Sequence, residues 1–201
     1  MAGLLVTGFK PFLGESENPS ELVLGPLAQE FGVRTLTLPV EYRRAFEVLR
    51  EELRREPADA ILLLGQAATA TRLKLERVAL NLMDASAADE AGELNLETPI
   101  VKSGALALAT TLPLREWWTQ LADPQSYEIS NSAGAFVCNS TYYLALNELA
   151  GRTPCLFVHL PPLPGQVAAG KAGTSPMELA RMVTLLRPLV SRMQGLTLAR
   201  S

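Results

Sequence analysis

Ala60-Ile61-Leu62-Leu63-Leu64-Gly65 is an unbroken apolar run closed by glycine. A strand of this kind has no polar face to offer water. It must be covered on both sides, as in the interior of a parallel sheet. Leu4-Leu5-Val6-Thr7-Gly8-Phe9 and the segment from Pro154 to Leu160 share the property, and Val33 to Val40 reads as a further strand. Between them lie segments of helical period: Pro19 to Glu30, Tyr42 to Glu56 with Phe46, Leu49 and Leu53 on one face, and Phe136 to Ala150 closed by Gly151. Strands alternating with helices call for an α/β fold. The expectation is a single-domain three-layer α/β/α sandwich around a twisted, mostly parallel or mixed central sheet. With 201 residues, no internal repeat and no linker, residues 1–201 are expected to form one domain.

The remaining elements are less sharply marked. Leu73 to Leu82 suggests a strand with Glu76 near its beginning, Ala105 to Thr111 and Ser126 to Ser130 two more, and Leu114 to Leu121 a helix holding Trp117 and Trp118. Pro26 should interrupt or end the first helix. A last helix is expected from Pro176 to about Met193, capped by Thr174 or Ser175 and kinked or ended by Pro188. Residues 84–102 lack periodicity and read as a long loop suited to act as a lid.

Composition removes several classes of function. A net charge of −3 without a basic stripe argues against general nucleic-acid binding. The first residues lack a basic leader segment, and no apolar run approaches the ~18 residues that span a bilayer. The expected partners therefore include neither nucleic acid nor membrane. Two cysteines, Cys138 and Cys155, do not make a disulfide framework, which points to a reducing, cytoplasmic setting. One histidine and the absence of CxxC or HExxH spacing leave no expected metal site. Gly8 and Gly14 are wrongly spaced for a phosphate loop, and no Lys-Ser/Thr follows.

The chemistry concentrates around Ile129-Ser130-Asn131-Ser132-Ala133-Gly134-Ala135-Phe136-Val137-Cys138-Asn139, which places a cysteine where a helix begins. Unpaired N–H groups and the partial positive charge of a helix N-terminus favour thiolate, the form that attacks carbonyls. Such a nucleophile needs a base. His159, the sole histidine, follows one helix and one strand later, an excursion that returns the chain to the same sheet edge. Glu76, between Lys74 and Arg77, is either a surface acid or the group that orients the histidine. Gln66, after the Gly65 strand end, is either a turn residue or a reader of an amide. Phe9 and Phe12 are either core or an apolar wall for a small ligand.

These residues fall in four ordered motifs that resemble the pyrrolidone-carboxyl peptidase (pyroglutamyl peptidase I) family over nearly the whole chain. Thr7-Gly8-Phe9-Lys10-Pro11-Phe12-Leu13-Gly14 is similar to the family's TGFxPFGG opening. Gly65-Gln66-Ala67 and Glu76-Arg77-Val78-Ala79-Leu80-Asn81 resemble GQA and ERVAxN. Ser130 to Asn139 resembles SNxAGxYVCN, and His159-Leu160-Pro161 with Leu163, Pro164 and Gln166 resembles HxPxLPxQ. The resemblance implies a phosphorylase/hydrolase-like α/β/α domain and a cysteine exopeptidase. That enzyme would remove an N-terminal pyroglutamyl residue from peptides through a thioester, with a triad of Cys138, His159 and Glu76. It implies a lactam pocket of Phe9, Phe12, Asn18, Gln66, Phe136 and Val137, no metal or cofactor, and a homo-oligomer, often a tetramer. The chain departs from the family at Leu13, Ala68 and Thr69, where glycines are expected, and at Ser86, where the family pattern DARIPDN has arginine. These departures motivate the alternative of a low-activity or non-catalytic relative that binds pyroglutamate or similar lactams.

Overall fold

Side chains along the central strands alternate between two apolar cores, as the period of a strand requires. The computed structural model describes residues 3–167 and 175–198. In chain order the elements are β1 (Leu4–Phe9), α1 (Pro19–Leu22), α2 (Leu24–Phe31), β2 (Arg34–Leu38), α3 (Arg44–Arg55), β3 (Ala60–Gln66), β4 (Leu73–Glu76), β5 (Val78–Leu80) and β6 (Ala107–Ala109). They continue with α4 (Leu114–Thr119), β7 (Tyr127–Ser130), α5 (Val137–Leu149), β8 (Cys155–Leu160) and α6 (Leu179–Leu198). Six strands form a mixed sheet in the order β2-β1-β3-β8-β4-β7, while β5 and β6 make a separate two-stranded sheet. In the large sheet β4 runs antiparallel to β8, and every other pairing is parallel.

One face of the sheet presents Leu4, Val6, Leu62, Leu64, Leu156 and Val158 to α1, α2, α4 and α6. The other presents Leu5, Phe9, Ile61, Leu63 and Phe157 to α3 and α5. The expected continuous apolar strands β1, β3 and β8 are thus the central ones, covered on both sides. The fold is α/β, with a mixed sheet between helical layers. Gly8 lets α1 close onto β1. A Cβ there would stand 2.0 Å from the Ser20 carbonyl oxygen, and the Ser20 hydroxyl meanwhile accepts the Phe9 N–H.

Local chemistry moves several expected boundaries. The first helix breaks at Val23, not Pro26. Pro26 falls in the first turn of α2, where an N–H has no intrahelical use. The single strand expected from Leu73 to Leu82 divides at Arg77. The Arg77 N–H donates to the Ser130 carbonyl while its own carbonyl accepts from Thr110, so neighbouring groups on the chain serve different sheets. The last helix begins at Leu179, and Glu178 supplies the carbonyl that accepts the Arg181 and Met182 N–H groups. Of the two expected caps, Ser175 lies outside the helix and Thr174 lies outside the described residues. Pro188 does not end this helix, which runs through to Leu198. Met182, Leu186, Leu189, Val190 and Met193 are buried on both sides of the proline, and that packing outweighs its missing hydrogen bond.

The 84–102 segment holds no regular element beyond a Met83–Thr98 bridge. It is nonetheless docked. The buried Asp89 carboxylate accepts the N–H groups of Tyr42 at 2.7 Å, Ala91 at 3.0 Å and Glu93 at 2.8 Å. The Glu90 N–H donates to the Val40 carbonyl, and the Glu90 carboxylate accepts from Leu13 N–H. Buried N–H groups left without an acceptor cost free energy, more so when the lost acceptor was charged. Asp89→Ala is expected to lower stability by about 2–3 kcal/mol in urea unfolding, and Asp89→Asn by less. A loss below about 0.5 kcal/mol for the alanine variant would contradict this anchoring.

Candidate active site

Cys138 is the second residue of α5, and no side chain caps that helix's N-terminus. The first-turn N–H groups are therefore left to whatever occupies the space in front of them. The sulfur rests over the sheet at Gly65. A Cβ on Gly65 would lie 2.9 Å from the Cys138 Sγ and 2.8 Å from Phe157 Cζ, so only glycine gives the sulfur its place. Gly65 is in register with His159 on the neighbouring strand β8. Sulfur and imidazole thus meet above the junction of β3 and β8 and line the same cavity.

Glu76 ends β4, the strand antiparallel to β8. It stands opposite Phe157, one diagonal step from His159, on the same face of the sheet. The His159 Nδ1–H donates to the Glu76 Oε1 at 2.8 Å, and both groups are buried. The Phe157 ring lies 4.7 Å from the His159 ring and limits its tilt. Burial works against the imidazolium, but hydrogen bonds to Cys138 and Glu76 and the charge of both partners overcome it. The His159 pKa is pushed up to about 9 from 6.5. The second cysteine is different: burial among apolar side chains pushes the Cys155 thiol up, which keeps it protonated and inert.

The cavity beside Cys138 and His159 is about 110 Å³ and is lined by Phe9, Phe12, Asn18, Val40, Gln66, the Ala133–Phe136 backbone segment and the two reactive groups. A dry cavity of about 150 Å³ accepts benzene, so this one suits a single small ring. Its aromatic wall is braced from behind. Phe136 packs against Phe12 at 6.2 Å and edge-on against Tyr42 at 5.4 Å. Asn18 borders the cavity, but its amide builds the α1 cap. Its Oδ1 accepts from the Ser20 N–H and hydroxyl, and its Nδ2 donates to the Lys10 carbonyl. Val137, expected in the pocket, turns fully into the core and does not line the cavity. Ser86 is exposed.

Three supporting residues escaped the sequence reading. Asn139 is fully buried and clamps α5 to the chain beyond Glu76: its Oδ1 accepts from Leu80 N–H at 2.8 Å and its Nδ2 donates to the Leu80 and Leu82 carbonyls. Tyr142, one turn beyond Cys138, donates its hydroxyl to the Glu76 carbonyl at 3.1 Å. Gly65 is the third. An amide directly after the nucleophile and a tyrosine four residues on were the available signals, since both share the helix that carries the sulfur. Among the described residues no group of three or more His, Cys, Asp or Glu side chains is placed to hold a metal ion, and no helix is long and apolar enough to cross a membrane.

Comparison with known proteins gives matches over most of the chain. The sequence profile of the pyroglutamyl peptidase family matches residues 2–192. The pyrrolidone-carboxylate peptidase of Gloeobacter violaceus is 38% identical over 184 residues, covering 88% of this chain and 89% of that protein. The Alkaliphilus oremlandii protein of the same name is 35% identical over 187 residues, covering 90% of this chain and 87% of the relative. The crystal structure of pyrrolidone carboxyl peptidase from Fervidobacterium islandicum superposes with a TM-score of 0.89 at 32% identity, covering 97% of this chain and 99% of the other. Pyroglutamyl peptidase I from Bacillus amyloliquefaciens superposes with a TM-score of 0.88 at 27% identity, covering 97% and 98%.

Two outcomes test the site. In Gly65→Ala the added methyl must displace Phe157, which is fully buried, or push Cys138 from its seat towards the cavity. A loss of about 1–3 kcal/mol and a slowed reaction of Cys138 with iodoacetamide are expected, and wild-type values for both would contradict the packing. The raised His159 pKa stabilises the fold fully below pH 6.5, and that contribution is lost as pH rises through about 9. In a Tm profile against pH, Glu76→Gln is expected to move this loss to lower pH. An unmoved profile would show that the carboxylate does not act on the imidazole.

Proposed function

The chain belongs to the pyroglutamyl peptidase family of cysteine peptidases, and we propose that it is an exopeptidase that hydrolyses the amide bond after an N-terminal pyroglutamyl residue. The observation that carries the proposal is the convergence of three groups beside a ring-sized cavity: a sulfur at an uncapped helix N-terminus, the imidazole beside it, and a buried carboxylate fixing that imidazole.

Pyroglutamate is a neutral five-membered lactam. The apolar wall of Phe9, Phe12 and Phe136 suits the ring, and Gln66 supplies an amide for its polar edge. A cavity that buries hydrogen-bonding groups rejects a ring that cannot pair with them, because an unpaired buried group costs about 1–3 kcal/mol. Such a pocket separates pyroglutamyl from prolyl.

Cys138 attacks the pyroglutamyl carbonyl carbon as thiolate, its proton resting on His159. The carbonyl oxygen takes the negative charge and lies before the first-turn N–H groups of α5, which no side chain among the described residues caps. When the tetrahedral adduct collapses, the C–N bond breaks, and His159 gives its proton to the departing amine. This leaves a pyroglutamyl thioester on Cys138 and a neutral imidazole. His159 then takes a proton from water as the water attacks the thioester. The C–S bond breaks, and free pyroglutamate and the imidazolium–thiolate pair result. Glu76 holds Nδ1–H throughout, so Nε2 faces the sulfur.

The test is release of an arylamine from a pyroglutamyl arylamide. Purified protein is expected to release it, Cys138→Ala to lose at least about 10³-fold in rate, and Cys155→Ala to lose little. Binding of pyroglutamate without release by the wild-type protein would instead establish the non-catalytic alternative that Ser86 motivates.

A further inference from the structure

Gln166 lies outside the cavity wall, yet its side-chain amide has no free valence. Its Oε1 accepts the Leu163 N–H at 2.9 Å and the Gln66 Nε2–H at 3.0 Å. Its Nε2 donates to the Glu17 carbonyl at 3.0 Å and, more weakly, towards the Gln66 Oε1 at 3.4 Å. The two backbone partners decide which way this amide points, because an N–H needs an acceptor and a carbonyl needs a donor. Flipping Gln166 would set its NH2 against the Leu163 N–H and its oxygen against the Glu17 carbonyl, two repulsions in place of two bonds.

That fixed orientation passes to Gln66. With Gln166 Oε1 held towards it, Gln66 must present Nε2, and its own amide order is set. The reciprocal pairing consumes one Gln66 N–H and one Oε1 lone pair, and leaves one N–H and one lone pair without a partner among the described residues. Gln66 borders the cavity at the end of β3, one residue beyond the Gly65 that seats the sulfur. A lactam carries one acceptor and one donor on its polar edge, so a reader whose amide cannot flip distinguishes it from a ring that carries neither.

We propose that Gln166 is a positioning residue for lactam recognition, acting through Gln66 by locking its amide in one orientation. The proposal rests on the reading of the cavity as a lactam site, and it extends that reading to a residue that never touches the substrate. It also gives the turn Pro164–Gln166 a purpose. The turn holds together the end of β3, the loop before α1 and the segment after His159, so Gln66 is ordered by three separate stretches of chain.

The test uses the full chain and 2-pyrrolidinone, a neutral lactam with no bond to cleave, read out as protection of Cys138 from iodoacetamide. The lactam is expected to protect wild-type protein. Gln166→Met, similar in length and without polar atoms, should weaken protection about tenfold or more without altering the alkylation rate in the lactam's absence. Gln66→Ala combined with Gln166→Met should lose no more than Gln66→Ala alone, because the second residue acts only through the first. Additive losses, wild-type protection in Gln166→Met, or no protection of wild-type protein would each overturn the proposal. Protection without arylamine release from a pyroglutamyl substrate would refute the peptidase reading alone, and release without protection would refute this one alone.

Discussion

The buried hydrogen bond between His159 and Glu76 depends on one reversal of direction in the sheet. Because β4 runs antiparallel to β8, the last residue of β4 falls diagonally across from the penultimate residue of β8, with both side chains on the α5 face. The chain leaves the sheet immediately afterwards at Arg77, so the carboxylate closes a strand end and is not buried under further β4 residues. Burial of this pair would be costly without compensation. The short Nδ1–Oε1 contact and the neighbouring Cys138 supply it, and together they lift the imidazole pKa despite desolvation.

The rest of the site is arranged to keep that pair and the sulfur in one geometry. Helix α5 acts twice: its first turn bears Cys138, and the tyrosine one turn later holds the Glu76 backbone. Asn139 ties the same helix to the β5 side of the bend. Nucleophile and orienting acid are therefore positioned by a single rigid element. The cavity wall is indirect in the same way. Phe136 is held by Phe12 and Tyr42, and the backbone N–H of Tyr42 is held by Asp89 from the long 84–102 segment. That segment, which as a sequence looks structureless, is one of the braces of the pocket.

Much of this was legible in the residues themselves. Unbroken apolar runs marked β1, β3 and β8 because a strand covered on both faces leaves that pattern. The cysteine was expected at a helix start and sits there, and the sole histidine was expected at a strand end and sits there. What could not be read was set by partners distant in sequence. The break at Arg77 follows from bonds to Ser130 and Thr110, and the persistence of α6 through Pro188 follows from burial against the sheet. Asn18 borders the cavity as the resemblance implied, but its second task as the α1 cap was not read. Val137 looked like pocket wall, but the helical phase that aims Cys138 at the cavity turns its neighbour into the core. Gly65 gave no sign of its purpose until the sulfur was found above it.

The central chemical claim is that a covalent pyroglutamyl thioester forms on one particular sulfur. The direct measurement is acid quenching of the protein during turnover of a pyroglutamyl arylamide, followed by mass spectrometry of its peptides. The peptide containing Cys138 should carry one pyroglutamyl group, removable by hydroxylamine, while the peptide containing Cys155 carries none. Normal turnover with a label on Cys155, or a label that survives at Cys138 after hydroxylamine, would contradict the account.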